Sequence, residues 1–182
     1  MKRILPLLVL LMVIVGCKSS KKTVKSKPLS IVVQPDIKES TSENPEFKAT
    51  LETDRNLALE IVRTALSYSG TRYKYGGTTS KGMDCSGLVF VSFKQHDILL
   101  NRSSSEMASQ GVEIKLNDVQ KGDLLFFTTG KGRKRINHVG LVVAVENNDV
   151  KFIHSTTSRG VLVSSIKEGY WNYAFKEARR IL

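Results

Sequence analysis

The sequence predicts an α+β domain in which N-terminal helices pack on a central antiparallel β-sheet of about five strands. Three observations carry this. Apolar residues recur three and four apart from Thr53 to Ser69 and crowd the stretch from Leu88 to Phe93, as buried helix faces require. From Val119 onward the apolar runs are short, rich in β-branched and aromatic residues, and bounded by Gly, Asn and Asp, the mark of strands and their turns. The helical segments precede the strands instead of alternating with them, which is the α+β order.

The chain opens with Lys2-Arg3 and then an apolar run from Ile4 to Val15, broken by Pro6. A dozen residues is too few to span a bilayer, which takes roughly twenty, so residues 1–16 read as a secretory signal. The run ends Ile14-Val15-Gly16-Cys17, which resembles the bacterial lipobox. That resemblance implies cleavage before Cys17, acylation of its thiol and amine, and anchoring to a membrane. Lys18 follows where an inner-membrane retention signal would have Asp, which implies the outer membrane, facing the periplasm. An ordinary signal peptide with an incidental cysteine is the alternative. Residues 17–50 are rich in Ser, Thr, Lys, Pro and Glu without a sustained period and read as a tether. The five lysines from Lys18 to Lys27 suit anionic headgroups or simply a soluble linker. Residues 51–182 form the folded domain.

A formal net charge of +11 invites a nucleic-acid reading. The excess is spread out, however, with +6 on residues 51–182. Its densest cluster, Lys131-Gly132-Arg133-Lys134-Arg135, is one short loop without the interleaved aromatics of a single-strand groove. The charge suits an anionic membrane or cell-wall polymer, and no nucleic-acid partner is expected.

Within the domain the first helix runs from Thr53 to Ser69 and closes at Gly70. The stretch Gly70-Thr71-Arg72-Tyr73-Lys74-Tyr75-Gly76-Gly77 is a loop in which Tyr73 either donates to a bound group or anchors a turn. Asp84 is a good N-cap and starts a second helix at Cys85. Ser103 with Glu106 fits a capping box for a short helix through Ser109 that closes at Gly111. Arg102, just before it, faces a cleft or solvent. Val119 to Phe127 turns into a strand, and residues 128–136 form a hairpin loop. Asn137 to Val145 is a strand with His138 at its mouth, and Val150 to Ser155 is the next, carrying His154. Gly160 to Ile166 and Tyr173 to Ile181 complete the sheet.

Cys85 sits in the first turn of its helix, where unpaired amides and the helix dipole favour thiolate and can bind an oxyanion. With Cys17 acylated it has no partner for an intrachain disulfide in a compartment where disulfides form. A cysteine nucleophile needs a base, and the base needs an orienter. His138 and His154, on adjacent antiparallel strands, can approach to about 5 Å and suit those roles. His96, at the far end of the Cys85 helix, reads as surface. A silent thiol above two core histidines is the alternative. A zinc site is another, but the chain lacks the paired C-x-x-C or H-x-x-x-H spacing that zinc favours.

In order along the chain stand Tyr73 in Gly-Thr-Arg-Tyr-Lys-Tyr-Gly-Gly, Asp84-Cys85-Ser86-Gly87-Leu88-Val89, Arg102-Ser103-Ser104, Lys121-Gly122-Asp123-Leu124-Leu125-Phe126-Phe127, His138-Val139-Gly140, and His154. The set resembles the NlpC-type bacterial cell-wall cysteine peptidases, over roughly Leu57 to Leu182. The resemblance implies a papain-like α+β fold and hydrolysis of peptidoglycan stem peptides, most often between the γ-carboxyl of D-glutamate and a diamino acid. It implies Cys85 as nucleophile, His138 as base and His154 as the orienting third residue. Tyr73 is implied beside the oxyanion and Asp84 and Ser86 at the substrate, and Arg102, if it faces the cleft, is a further candidate for binding it. It implies no metal and no organic cofactor, with a monomer as the default. Met107 and the Ser103-Ser104 pair depart from the usual family pattern and bear on the rim of the cleft. A silent wall-binding lipoprotein, or an amidase or acyltransferase on the same fold, are the competing readings.

Overall fold

A computed structural model describes residues 45–182 apart from residue 133. The expected signal, Cys17 and most of the expected tether lie outside the described residues. Helix α1, Pro45–Ser67, begins eight residues before the expected start at Thr53, inside the stretch whose composition reads as tether. Its first turns are exposed, and only its later turns bury a face, through Ala58, Ile61, Val62 and Ala65. Proline is preorganised for the first helical position, where its missing N–H costs no hydrogen bond.

After α1 the chain is clipped to the sheet. The Gly70 amide donates to Val161 O at 2.8 Å and the Val161 amide to Thr71 O at 2.8 Å. A two-residue hairpin follows, β1 (Thr78–Thr79) with β2 (Gly82–Met83), and Tyr73 bridges to Met83. Helix α2 (Cys85–Lys94) comes next, then α3 (Ser104–Met107), capped by Ser103. The Ser103 hydroxyl accepts from the Glu106 amide at 3.3 Å and donates to Glu106 Oε2 at 2.6 Å, so the expected capping pair forms.

The remaining strands are β3 (Val112–Ile114), β4 (Leu124–Phe127), β5 (His138–Glu146), β6 (Asp149–Thr156), β7 (Gly160–Ser165) and β8 (Phe175–Arg180), with helix α4 (Gly169–Ala174) before the last. Strands β3 to β8 make one antiparallel sheet in the order β3-β8-β4-β5-β6-β7. It has six strands where about five were expected. The extra one is β3, three residues with Glu at the centre, too short for a period to show. It is a strand because Val112 pairs with Arg180 across to β8. The last expected strand, Tyr173 to Ile181, shortens to β8 because α4 occupies its first residues.

The sheet is buried on both faces, so all four residues of β4 are buried. Side chains alternate across a strand. Leu124 and Phe126 join Val139, Leu141 and Ile153 under α1 and α2. Leu125 and Phe127 join Val142, Phe152 and Trp171 on the opposite face, beneath α4. Helix α2 is apolar on nearly every side because it is wedged between α1 and the sheet, with Leu88, Val89 and Phe93 fully buried.

Candidate active site

The first turn of α2 is built around one carboxylate. Asp84 Oδ1 accepts from the Gly87 amide at 2.6 Å, satisfying an amide that the helix leaves unpaired. Asp84 Oδ2 accepts from the Gly76 amide at 2.7 Å and so holds the Gly76-Gly77 loop against the turn. Arg102 Nη2 lies 3.0 Å from both Asp84 oxygens, and Arg102 Nη1 donates to Ser86 Oγ at 2.8 Å. The loop rides so close that a Cβ at Gly87 would stand 2.1 Å from Gly77 O. Asp84, Ser86 and Gly87 thus fix the turn that presents Cys85.

The sheet fixes the same turn from the other side. Met83 O accepts from the Lys74 amide at 3.1 Å and from Ser155 Oγ at 2.8 Å. The residue two before Cys85 is therefore tied to β6. Cys85 is free of disulfide and buried. Burial pushes its thiol pKa up, and the Asp84 carboxylate adds to this, while the amides of Val139, Ser86 and Cys85 itself pull it down. The helix terminus was expected to favour thiolate, but desolvation of the sulfur outweighs those amides. The Val139 amide sets the sulfur beside β5, one residue along the strand from His138.

His138 lies at the mouth of β5, opposite Phe127. The preceding Asn137 holds the strand end through Thr129, accepting from its amide at 2.7 Å and donating to its carbonyl at 3.0 Å. His138 Nε2 is 2.9 Å from His154 Nδ1. The His138 ring stacks on Trp171 with centroids 5.2 Å apart and planes 22° apart, and Trp171 meets His154 edge-on at 4.5 Å. Burial pushes His138 down to about 4. His154 is pushed down to about 3, first by burial and then by the charges of His138 and Arg159. Burial thus acts on the thiol and on both imidazoles in favour of their uncharged forms.

With Nε2 engaged, Nδ1 of His138 is the nitrogen left for proton transfer. For Nδ1 to accept a proton, His138 must carry its own on Nε2 and donate it to His154 Nδ1. His154 then holds its proton on Nε2, a buried atom without a partner among the described residues.

Tyr73, Asp84, Cys85, Ser86, Arg102 and His138 all line one cleft of about 1250 Å³. Tyr73 is half-buried, and its hydroxyl is pushed up by burial and by facing Cys85 and Asp84. His154 is fully buried behind His138 and does not reach the cleft surface. His96 lies apart, 2.9 Å from Thr64 Oγ1 between α1 and α2. Among the described residues no group of three or more His, Cys, Asp or Glu converges as metal ligands would. The far wall, made by the β6–β7 turn with Arg159 and by Tyr170 and Trp171 of α4, is absent from the sequence expectations. Trp171 is the single tryptophan of the chain, a signal that could have marked it.

Residues 70–180 match the family model described as NlpC/P60 family. The chain is 42% identical over 116 residues to the probable endopeptidase NlpC of Escherichia coli (strain K12), covering 63% of this chain and 72% of that one. It is 34% identical over 157 residues to the murein DD-endopeptidase MepS/murein LD-carboxypeptidase of the same organism, covering 82% of this chain and 80% of that one. A solved NlpC/P60 family protein from Bacillus cereus superposes with a TM-score of 0.63 at 29% identity, over 69% of this chain and 40% of that longer one.

Proposed function

The chain belongs to the NlpC/P60 family, and from that premise we propose that it is a cell-wall cysteine endopeptidase that cuts peptidoglycan stem peptides between γ-D-glutamyl and the diamino acid. The observation that carries this reading is the single cleft shared by Cys85, at a helix N-terminus, and His138, backed by His154 at 2.9 Å.

The chemistry follows from the cleft that Cys85 and His138 share. As the Cys85 sulfur bonds to the scissile carbonyl carbon, its proton passes to Nδ1 of His138. The negative charge that develops on the carbonyl oxygen is met by the Cys85 amide, with Tyr73 beside it. When the C–N bond breaks, His138 returns the proton to the leaving amine. Water, deprotonated by His138, then releases the acyl group and restores the thiol. His154 orients His138 and fixes its tautomer. Asp84, Ser86 and Arg102 hold the nucleophile turn at one end of the cleft where the acyl half lies. Residues 51–182, with the α1 turns before them, form the peptidase domain. Cys17 carries the lipid anchor that keeps it in the envelope, at the outer membrane facing the periplasm.

A second reading concerns the bond. The relative that covers most of this chain among those above is named a DD-endopeptidase and LD-carboxypeptidase, which favours a cut further along the stem. The test is digestion of purified peptidoglycan by the full chain, beside Cys85→Ala, with fragments identified by mass. A freed diamino-acid α-amine supports the γ-D-glutamyl cut, whereas release of terminal D-alanine or of crosslinks alone supports the second reading. Binding without cleavage would leave a silent wall-binding protein. Labelling with radioactive palmitate tests the anchor, and label retained by Cys17→Ala would remove it.

A further inference from the structure

The charges that line the cleft do not all have partners. Asp84 and Arg102, which both line it, form an ion pair with each other. Glu168 spends Oε1 on the Ser165 amide at 2.9 Å. Arg159 also lines the cleft, and among the described residues its guanidinium has no hydrogen-bond or ion-pair partner. Its charge still reaches the buried His154 and helps lower it.

Arg159 does not sit on a loose loop. Its amide donates to Thr156 Oγ1 at 3.2 Å, closing the β6–β7 turn. Gly160, at φ +68°, lies so near the chain that a Cβ would stand 2.2 Å from Thr71 O. The turn is thereby set against the segment that follows α1. Thr156, Thr157 and Ser158, which precede Arg159 in the turn, also line the cleft. An unpartnered guanidinium in a cleft also lined by hydroxyls suits a carboxylate, since Arg pairs with planar oxyanions through charge-assisted hydrogen bonds.

The side of the cleft decides which carboxylate. His138 must hand its proton to the leaving amine, so the leaving half of the substrate lies on the histidine side. Arg159 closes the turn that follows β6, the strand that carries His154, and so lines the cleft from the strand behind His138. In the proposed reaction the leaving half begins with the diamino acid. We infer that Arg159 is the receptor for a carboxylate on that half, and that it makes the enzyme select diamino acids bearing a side-chain carboxylate, as diaminopimelate does, over lysine. The inference rests on the γ-D-glutamyl reading above. A terminal carboxylate at the end of the stem is the other source of the same chemistry.

The test uses the full chain in detergent and four soluble γ-D-glutamyl peptides, ending in diaminopimelate or lysine, each with a free or amidated C-terminus. Wild type should favour diaminopimelate over lysine by roughly 10- to 100-fold in kcat/KM, the range of one charge-assisted contact. Arg159→Gln should collapse that ratio toward one, mainly through KM, and Arg159→Lys should keep most of it. Binding to the Cys85→Ala protein, followed by calorimetry, should show the same pattern without turnover. Equal losses on both diamino acids, or an unchanged ratio, would overturn the inference while leaving the peptidase in place. A loss that follows C-terminal amidation would overturn the diaminopimelate selection. If no peptide is bound or cleaved, the inference falls together with the proposed function.

Discussion

His138 Nε2 and His154 Nδ1 face each other at 2.9 Å, with both rings buried against Trp171. One nitrogen of each ring is committed to the other, so the tautomer of His138 is decided by a residue that never touches the cleft. Removing the acceptor should leave His138 free to turn and to carry its proton on the wrong nitrogen. His154→Ala should lower kcat roughly 10²- to 10⁴-fold. His154→Asn, which can keep an oxygen near the Nδ1 position, should recover a large part of that loss. Equal losses for both variants, at unchanged melting temperature, would mean that the hydrogen bond does not position the base.

The same burial makes stability depend on pH. Both imidazoles are lowered from 6.5, His138 to about 4 and His154 to about 3. The unfolded chain therefore binds more protons between those values, and stability must fall as pH drops below 6.5. For His138 alone the shift corresponds to roughly 3 kcal/mol once pH is below its folded value, at 1.36 kcal/mol per pKa unit. The melting temperature should fall between pH 6.5 and 5, before most carboxylates titrate. In a His138→Gln, His154→Asn double variant that slope should flatten. A wild-type melting temperature constant over this window would contradict the burial argument.

Gly87→Ala should damage the nucleophile turn, because the new methyl would meet Gly77 O. Backbone has to move, at a cost of about 1–3 kcal/mol for overpacking, and the Asp84 cap moves with it. Activity should fall further than stability alone explains, read as kcat at a temperature where the variant is fully folded. Gly87→Ala with wild-type kcat would show that the loop does not fix Cys85.

Trp171→Phe should keep the hydrophobic contact with Phe127 and Phe152 but weaken the platform under His138. Trp171→Ala should cost about 3–5 kcal/mol, as truncation of a buried aromatic does. Comparing the two by thermal melting and by kcat separates packing from positioning. If Trp171→Ala melts like wild type, the residue carries none of the packing assigned to it here.

What the sequence reveals of this site follows the reach of each signal. The Asp84-Cys85-Ser86-Gly87 turn is legible because capping is local, decided within four residues. His138 and His154 are legible as neighbours because two strands joined by a tight turn must pair. The link of Arg102 to Asp84 spans eighteen positions, and only the folded loop brings them together. Strand β3 exists through its pairing with β8, from the other end of the domain. Helix α4 has six residues, and its N-cap Glu168 makes no side-chain capping bond, so its aromatics read as the start of a strand. Pro45 did offer a local signal for the start of α1, but the exposed first turns of that helix show no apolar period.

The central claim is that Cys85 acts as a nucleophile activated by His138. It is tested most directly by trapping the acyl-enzyme during turnover. The full chain would be mixed with a γ-D-glutamyl diaminopimelate peptide, quenched in acid within one turnover, and its intact mass measured. The account predicts an adduct equal to the acyl half of the peptide, located on Cys85, formed far more slowly by His138→Ala and absent in Cys85→Ala. Turnover at a wild-type rate by Cys85→Ala would contradict it.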